Sequence, residues 1–282
     1  MSGAVQDNPS VLPGTGEIRR LSHDTTNRKV FELALPHLVA GSRVLDLGAG
    51  EGYFSRMVGE YLRNEAGVAP STVLAACDVV PGQFRYDDVR CDPLDHSGRL
   101  PYAAGEFDLV CSLEVIEHVE DQFAFLREAY RVLKPGGTFI ASTPNVLNMN
   151  SRWRYLHSGF AQLFDPLPLG SRDVVHTSGH IHPVSYYYLA YALRAAGFHR
   201  VAVQYDHFKR SAVSQLILFG PLMLLGRLGF RIRMGRKRRR EMQQNRAFVT
   251  EMNSLGMLTS RSVVVVGEKQ TGDRDRGPDT RP

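Results

Sequence analysis

Cysteine is scarce in this chain, and what there is excludes two structural devices. Cys77, Cys91 and Cys111 are an odd set with no Cys-x-x-Cys pair among them, each at or near the end of an apolar run. That pattern points to reduced thiols in a reducing compartment rather than disulfides, and it lacks the paired spacing of a structural zinc site. Tryptophan occurs once, at Trp153, and no internal repeat is present. The opening MSGAVQDNPSVLPGTGE has no basic-then-apolar layout of an export signal. The expectation is therefore a cytoplasmic protein, either free or peripheral at the inner face of the membrane. Acidic residues are missing from 227–240, which holds Arg227, Arg231, Arg233, Arg236, Lys237, Arg238, Arg239 and Arg240. Without that block the chain is mildly acidic, so its net charge of +5 is a local property.

What is present reads as a soluble α/β protein. Short apolar runs at Arg43–Leu47, Thr72–Cys77, Tyr86–Cys91, Phe107–Ser112 and Thr138–Ser142 predict strands. They alternate with helical stretches at Thr25–Val39, Tyr53–Arg63, Gln122–Leu133 and Ser185–Ala196. Wholly apolar strands between helices imply a parallel sheet covered on both faces. Two β-branched runs, Arg200–Gln204 and Ser262–Glu268, predict further buried strands. One domain is expected over 18–269, flanked by Gly-, Pro- and Asp-rich ends, 1–17 and 270–282, expected to be disordered. Two insertions interrupt it, 144–183 and 205–261, both too long for ordinary connections.

The stretch VLDLGAGEGYF (44–54) is a strand entering a glycine-rich turn before a helix, a layout that brings backbone N–H groups close to a ligand. A dinucleotide fingerprint needs its third glycine at 53, where Tyr53 stands. Asp46, an acid inside the strand end, suits a ligand that carries positive charge. VLAACD then ends in Asp78 and VRCD in Asp92, while LPYAAGEFDLV (100–110) and LKPGGTFIASTPN (133–145) follow in order. Together these motifs resemble class I S-adenosylmethionine-dependent methyltransferases. The resemblance implies a Rossmann-like, seven-stranded, mostly parallel sheet with the last strand antiparallel. It implies S-adenosylmethionine held by Asp46, Gly48, Ala49, Gly50, Gly52, Asp78, Asp92, Leu113 and Glu114. In that family Asp78 is placed for the ribose hydroxyls and Asp92 for the adenine amino group.

SLEVIEHVED (112–121) leaves the fourth strand at the end where such sheets bind ligands. A helical turn starting near Glu114 would set Glu117 and His118 on its face. With a histidine from HTSGHIHPVS (176–185), the set resembles the Glu-x-x-Glu-His site of two methyltransferase groups. One acts on catechol-type hydroxyls of ubiquinone precursors and the other on the terminal 2′-hydroxyl of small RNAs. That resemblance implies Glu114, Glu117, His118 and His182, or His180, as ligands of magnesium or another divalent cation. The alternative is a metal-free site in which His118, or else His182, is the base that deprotonates a hydroxyl acceptor.

On the substrate side, Trp153 and Arg154 lie in the first insertion, where they either contact the acceptor or anchor a lid. The second insertion joins an almost wholly apolar run, AVSQLILFGPLMLLGRLGF (212–230), to the basic block. Pro221 predicts a break in it, and the whole of 212–240 suits an anionic membrane surface, or else covers the sheet edge or a dimer contact. The function expected is O-methylation of a small-molecule, glycan or lipid-linked acceptor. RNA methylation is the alternative, although the basic run carries no aromatic stacking platform. A cofactor-binding scaffold without turnover is the alternative of another class.

Overall fold

The computed structural model describes residues 18–94, 98–168 and 179–272. In chain order these form α1 (Asp24–Ala34), β1 (Val44–Leu47), α2 (Tyr53–Asn64), the single turn α3 (Pro70–Val73), β2 (Leu74–Asp78), β3 (Cys91–Pro93) and β4 (Phe107–Leu113). Then come α4 (Gln122–Val132), β5 (Leu133–Pro144), α5 (Met149–Ser158), α6 (Tyr186–Ala196) and β6 (Arg200–Tyr205). The long α7 (Arg210–Lys237), short α8 (Arg239–Gln244), α9 (Arg246–Glu251) and α10 (Leu255–Thr259), and finally β7 (Ser262–Glu268) complete the chain.

The strands make one sheet in the order β3-β2-β1-β4-β5-β7-β6. β3, β2, β1, β4 and β5 pair in parallel, and β7 runs antiparallel to both neighbours. Every residue of β1 is buried, as a strand covered on both faces must be. On one face Leu126 and Ala129 of α4 and Leu189 and Leu193 of α6 pack over Phe139 and Phe198. On the other, Val30 of α1 and Phe54, Val58 and Leu62 of α2 cover Val44, Leu109 and Ile140. The reversal of strand order on either side of β1 opens a crevice at the carboxyl ends of β1 and β4, where ligands bind in open α/β sheets.

Several sequence expectations are corrected. The third strand occupies Cys91–Pro93, not Tyr86–Cys91. Tyr86 and Val89 are buried by packing on α2 from a loop, and a Cβ on Gly59 of that helix would lie 2.0 Å from the Tyr86 hydroxyl. β6 is the edge of the sheet, its residues alternating between exposed and half-buried, rather than a buried strand. The first helix stops at Ala34, and Pro36 sits in the 3-10 turn Leu35–His37 that follows it. Pro221 does not break the apolar insertion: α7 runs through it unbroken. The expected disordered ends, 1–17 and most of 270–282, lie outside the described residues, as does 169–178 of the first insertion with His176.

Candidate active site

The loop after β1 bends back on β2 through three left-handed glycines, Gly48, Gly50 and Gly52, at φ 81°, 54° and 89°. The N–H groups of Gly48 and Ala49 donate to the Cys77 carbonyl at 2.9 and 3.1 Å, and Gly50 N–H donates to Asp78 Oδ2 at 2.8 Å. Space as well as conformation demands glycine here. A Cβ on Gly48 would stand 2.4 Å from Val115 Cγ2, and one on Gly52 would stand 2.8 Å from the Phe84 ring. Asp46 is buried beneath the loop, accepting a hydrogen bond from Ser55 Oγ at 2.7 Å. Burial pushes its carboxyl up to about 7, so a cationic group above it would find a site already desolvated and short of positive charge.

At the next strand ends, Asp78 Oδ1 also accepts from Val80 N–H, while Asp92 accepts from the Tyr102 hydroxyl at 3.1 Å. Leu113 ends β4 opposite Ser142 of β5. The structure thus brings Asp46, Gly48, Ala49, Gly50, Gly52 and Asp78 together at one end of the sheet. Asp92 lies one strand further out, in register with Cys77. Burial raises the Cys77 and Cys111 thiols, which makes them packing groups rather than nucleophiles.

The segment after β4 departs from the expected helical turn. Glu114 has φ 52°, a left-handed conformation that a non-glycine residue holds only when its surroundings over-determine it. Its N–H donates to the Ser142 carbonyl, and its Oε1 accepts from Arg261 at 2.8 Å and from Ser262 Oγ at 2.9 Å. The 3-10 turn Ile116–His118 then carries Glu117 and His118 away from it. Glu114 is therefore fastened to the start of β7 and does not share a face with the other two.

Glu117, His118 and His180 do converge, their ligand atoms lying within 4.8 Å of one another. Glu117 is fully buried, and neither of its oxygens meets a donor in good geometry among the described residues. Burial pushes it up to about 8, the Glu114 carboxylate adding to the effect. His118 faces the Gly179 carbonyl through Nδ1 at 2.9 Å, and His180 faces the Leu163 carbonyl at 2.6 Å. In the neutral form, a ring that donates Nδ1–H to a carbonyl keeps its lone pair on Nε2, the tautomer that binds a metal or takes a proton. Burial lowers the His118 pKa and so favours that neutral form. His182 is set likewise, Nδ1 on the Val119 carbonyl at 2.6 Å, but together with Glu114 it stands outside the three-residue group. Of the two expected histidines, His180 lies within this group and His182 does not.

A family model described as methyltransferase domain matches residues 19–203. The chain belongs to this methyltransferase-domain family. Its fold is that of the class I S-adenosylmethionine-dependent methyltransferases. The chain is 36% identical over 142 residues to a protein of Mycolicibacterium smegmatis named "Probable S-adenosylmethionine-dependent methyltransferase", an overlap of 49% of this chain and 53% of that one. It is 34% identical over 131 residues to a ubiquinone biosynthesis O-methyltransferase of Azorhizobium caulinodans, covering 45% and 47%. The matched part thus spans about half the length of these relatives. A methyltransferase crystal structure from Archaeoglobus fulgidus superposes with a TM-score of 0.50 at 14% identity, over 86% of this chain and 92% of that one, a likeness of fold.

In this methyltransferase fold, several residues near the site gave no sequence signal. Arg19 donates through its backbone N–H and its guanidinium to buried Glu51, at 2.9 and 2.7 Å, which lays residues 18–21 over the glycine loop. A Cβ on Gly50 would meet Leu21 Cδ1 at 2.7 Å. His23 and His207 stack with centroids 5.0 Å apart, both bonded to Thr25 Oγ1. Arg261, His23 and His207 come from opposite ends of the chain, so no spacing rule finds them. Of the two substrate candidates, Trp153 stacks on Phe219 of α7 at 4.7 Å and Arg154 pairs with Asp165. The tryptophan contact joins α5 to α7.

Proposed function

We propose that this domain transfers a methyl group from S-adenosylmethionine to a hydroxyl oxygen of a small-molecule, glycan or lipid-linked acceptor. The observation that carries the reading is the contact of Val115 with Gly48. It places the Glu114–His118 segment directly against the glycine loop, so the acid-histidine group adjoins the cofactor end of the sheet. S-adenosylmethionine supplies an activated sulfonium methyl, which leaves the protein to position the acceptor and remove its proton. The fit is chemical: Asp46 offers a carboxyl buried without a cationic partner among the described residues, Asp78 and Asp92 offer acceptors for hydroxyl and amino donors, and the left-handed glycines fold the loop back onto β2 between them.

Two arrangements of the proton acceptor follow. In the first, His118 takes the proton on Nε2 while the Gly179 carbonyl holds its other nitrogen; His182, oriented by Val119, is the second candidate. In the second, favoured by the two oxygens of buried Glu117 that meet no partner among the described residues, Glu117, His118 and His180 would hold a divalent cation such as magnesium, whose charge would ease deprotonation. The test is a methyl-transfer screen with catechol-type quinone precursors, glycans, membrane extract and RNA, each with and without chelator. Oxygen methylation of one of the first three supports the proposal. Incorporation confined to RNA, falling steeply with salt, supports the RNA alternative. Cofactor binding without turnover on any acceptor would identify a scaffold.

A further inference from the structure

The helix α7 presents an apolar face that the fold leaves uncovered. Leu216, Phe219 and Met223 pack with Met149 of α5 and Leu258 of α10, while Ile217, Leu218, Leu222, Leu224, Leu225 and Leu228 recur on the opposite side. Ile217 is 76% exposed, Leu218 71% and Leu222 70%, values that a soluble surface rarely collects on one face. No acidic residue occurs from His207 to Arg240, and the basic block begins as the apolar stretch ends.

By length and composition α7 is apolar enough to cross a membrane, yet the topology forbids it. Its uncharged stretch, Ser211 to Gly226, is about 24 Å long at ~1.5 Å per residue, short of a hydrocarbon core of about 30 Å. The chain must also return. All of β6 pairs with Val263–Glu268 of β7, and Arg152 holds the Met252 carbonyl and Asn253 beside α9. A crossing would drag Arg238, Arg239, Arg240 and Glu241 back through the bilayer to reach that anchored segment.

We infer that α7 docks flat on an anionic bilayer surface, its leucine face at the acyl boundary and its arginines among lipid phosphates. The Trp153–Phe219 stack and the Asn150–Ser211 hydrogen bond at 2.8 Å tie α7 to α5, the helix that follows β5 at the ligand-binding end of the sheet. Docking therefore brings α5 and the ligand-binding end of the sheet to the bilayer, which names a membrane-resident acceptor; this last step rests on the methyl-transfer reading.

Flotation of the full chain with phosphatidylcholine vesicles, with and without phosphatidylglycerol, tests the docking. Wild type should float with the anionic vesicles only and be released by salt or alkaline carbonate. Leu218→Ser/Leu222→Ser/Leu225→Ser should abolish flotation, and Arg236→Gln/Lys237→Gln/Arg238→Gln should weaken partitioning about a hundredfold. Cofactor binding by calorimetry, measured on each variant, should stay at wild type; its absence in wild type would sink the methyl-transfer reading and leave the docking result standing. No flotation at low salt, resistance to carbonate, or a dimer that only the leucine variant dissociates would each overturn the inference, the last by making a second copy the occupant.

Discussion

The Arg261 guanidinium donates to Glu114 Oε1 at 2.8 Å, joining the end of β4 to the start of β7 across β5. The pair is mostly shielded, 18% and 12% exposed, and Glu114 is held in a left-handed conformation while it forms. Arg261→Ala leaves the carboxylate with Ser262 alone and should cost about 3 kcal/mol of stability. The readout is a lower urea midpoint at unchanged m-value, with Arg261→Lys recovering part of the loss.

Asp46 sets a pH dependence. Its folded-state pKa, about 7, lies above its unfolded value, so the folded chain binds this proton more tightly. The Asp46 contribution to stability of the cofactor-free domain is therefore full below about pH 4 and lost as pH rises through 7. Affinity for S-adenosylmethionine should move the other way, rising between about pH 6 and 8 as the carboxylate ionises. Calorimetry on Asp46→Asn should show weaker and pH-flat binding at unchanged secondary structure.

Gly48→Ala meets two obstacles, a φ of 81° and the Val115 methyl 2.4 Å from its new Cβ. Together they should cost about 2–4 kcal/mol. Adding Val115→Ala should restore part of the stability but not the backbone strain, which a double-mutant cycle measures.

Metal occupancy has a direct signature. If Glu117, His118 and His180 hold a divalent cation, adding manganese should raise the melting temperature in a concentration-dependent way. Chelator should reverse the rise. Glu117→Gln should melt no lower than wild type without metal, because a neutral amide replaces a buried unpaired carboxyl, and should show no response to manganese.

The elements most legible in the sequence are those whose signal is local. β1, its glycine loop and α2 follow from one apolar run, three glycines with left-handed backbones and a helical stripe. Sequence pattern and structure differ where burial and extended pairing part company. Tyr86 and Val89 carry strand-like character but are buried by a loop on α2. Arg200–Gln204 reads as a core strand, yet β6 is an edge paired only with β7 on one side. A helical count along 114–118 makes Glu114 the first residue of a turn, because it cannot see Arg261, 147 residues later, pulling its carboxylate aside. For the same reason spacing does not distinguish His180 from His182, since the carbonyls they face, Leu163 and Val119, come from different segments.

Tyr205 faces Val263 in register, and Phe208 bridges Ser260, so the last ladder closes on either side of whatever chain is placed between them. The sheet pays only a closure entropy that grows with the logarithm of the inserted length. An edge of this kind is a socket: one appendage can be exchanged for another while the glycine loop at β1, four strands along the sheet, keeps its geometry. Diversity in what the domain is brought to can thus accumulate at β6–β7, independently of the chemistry it performs.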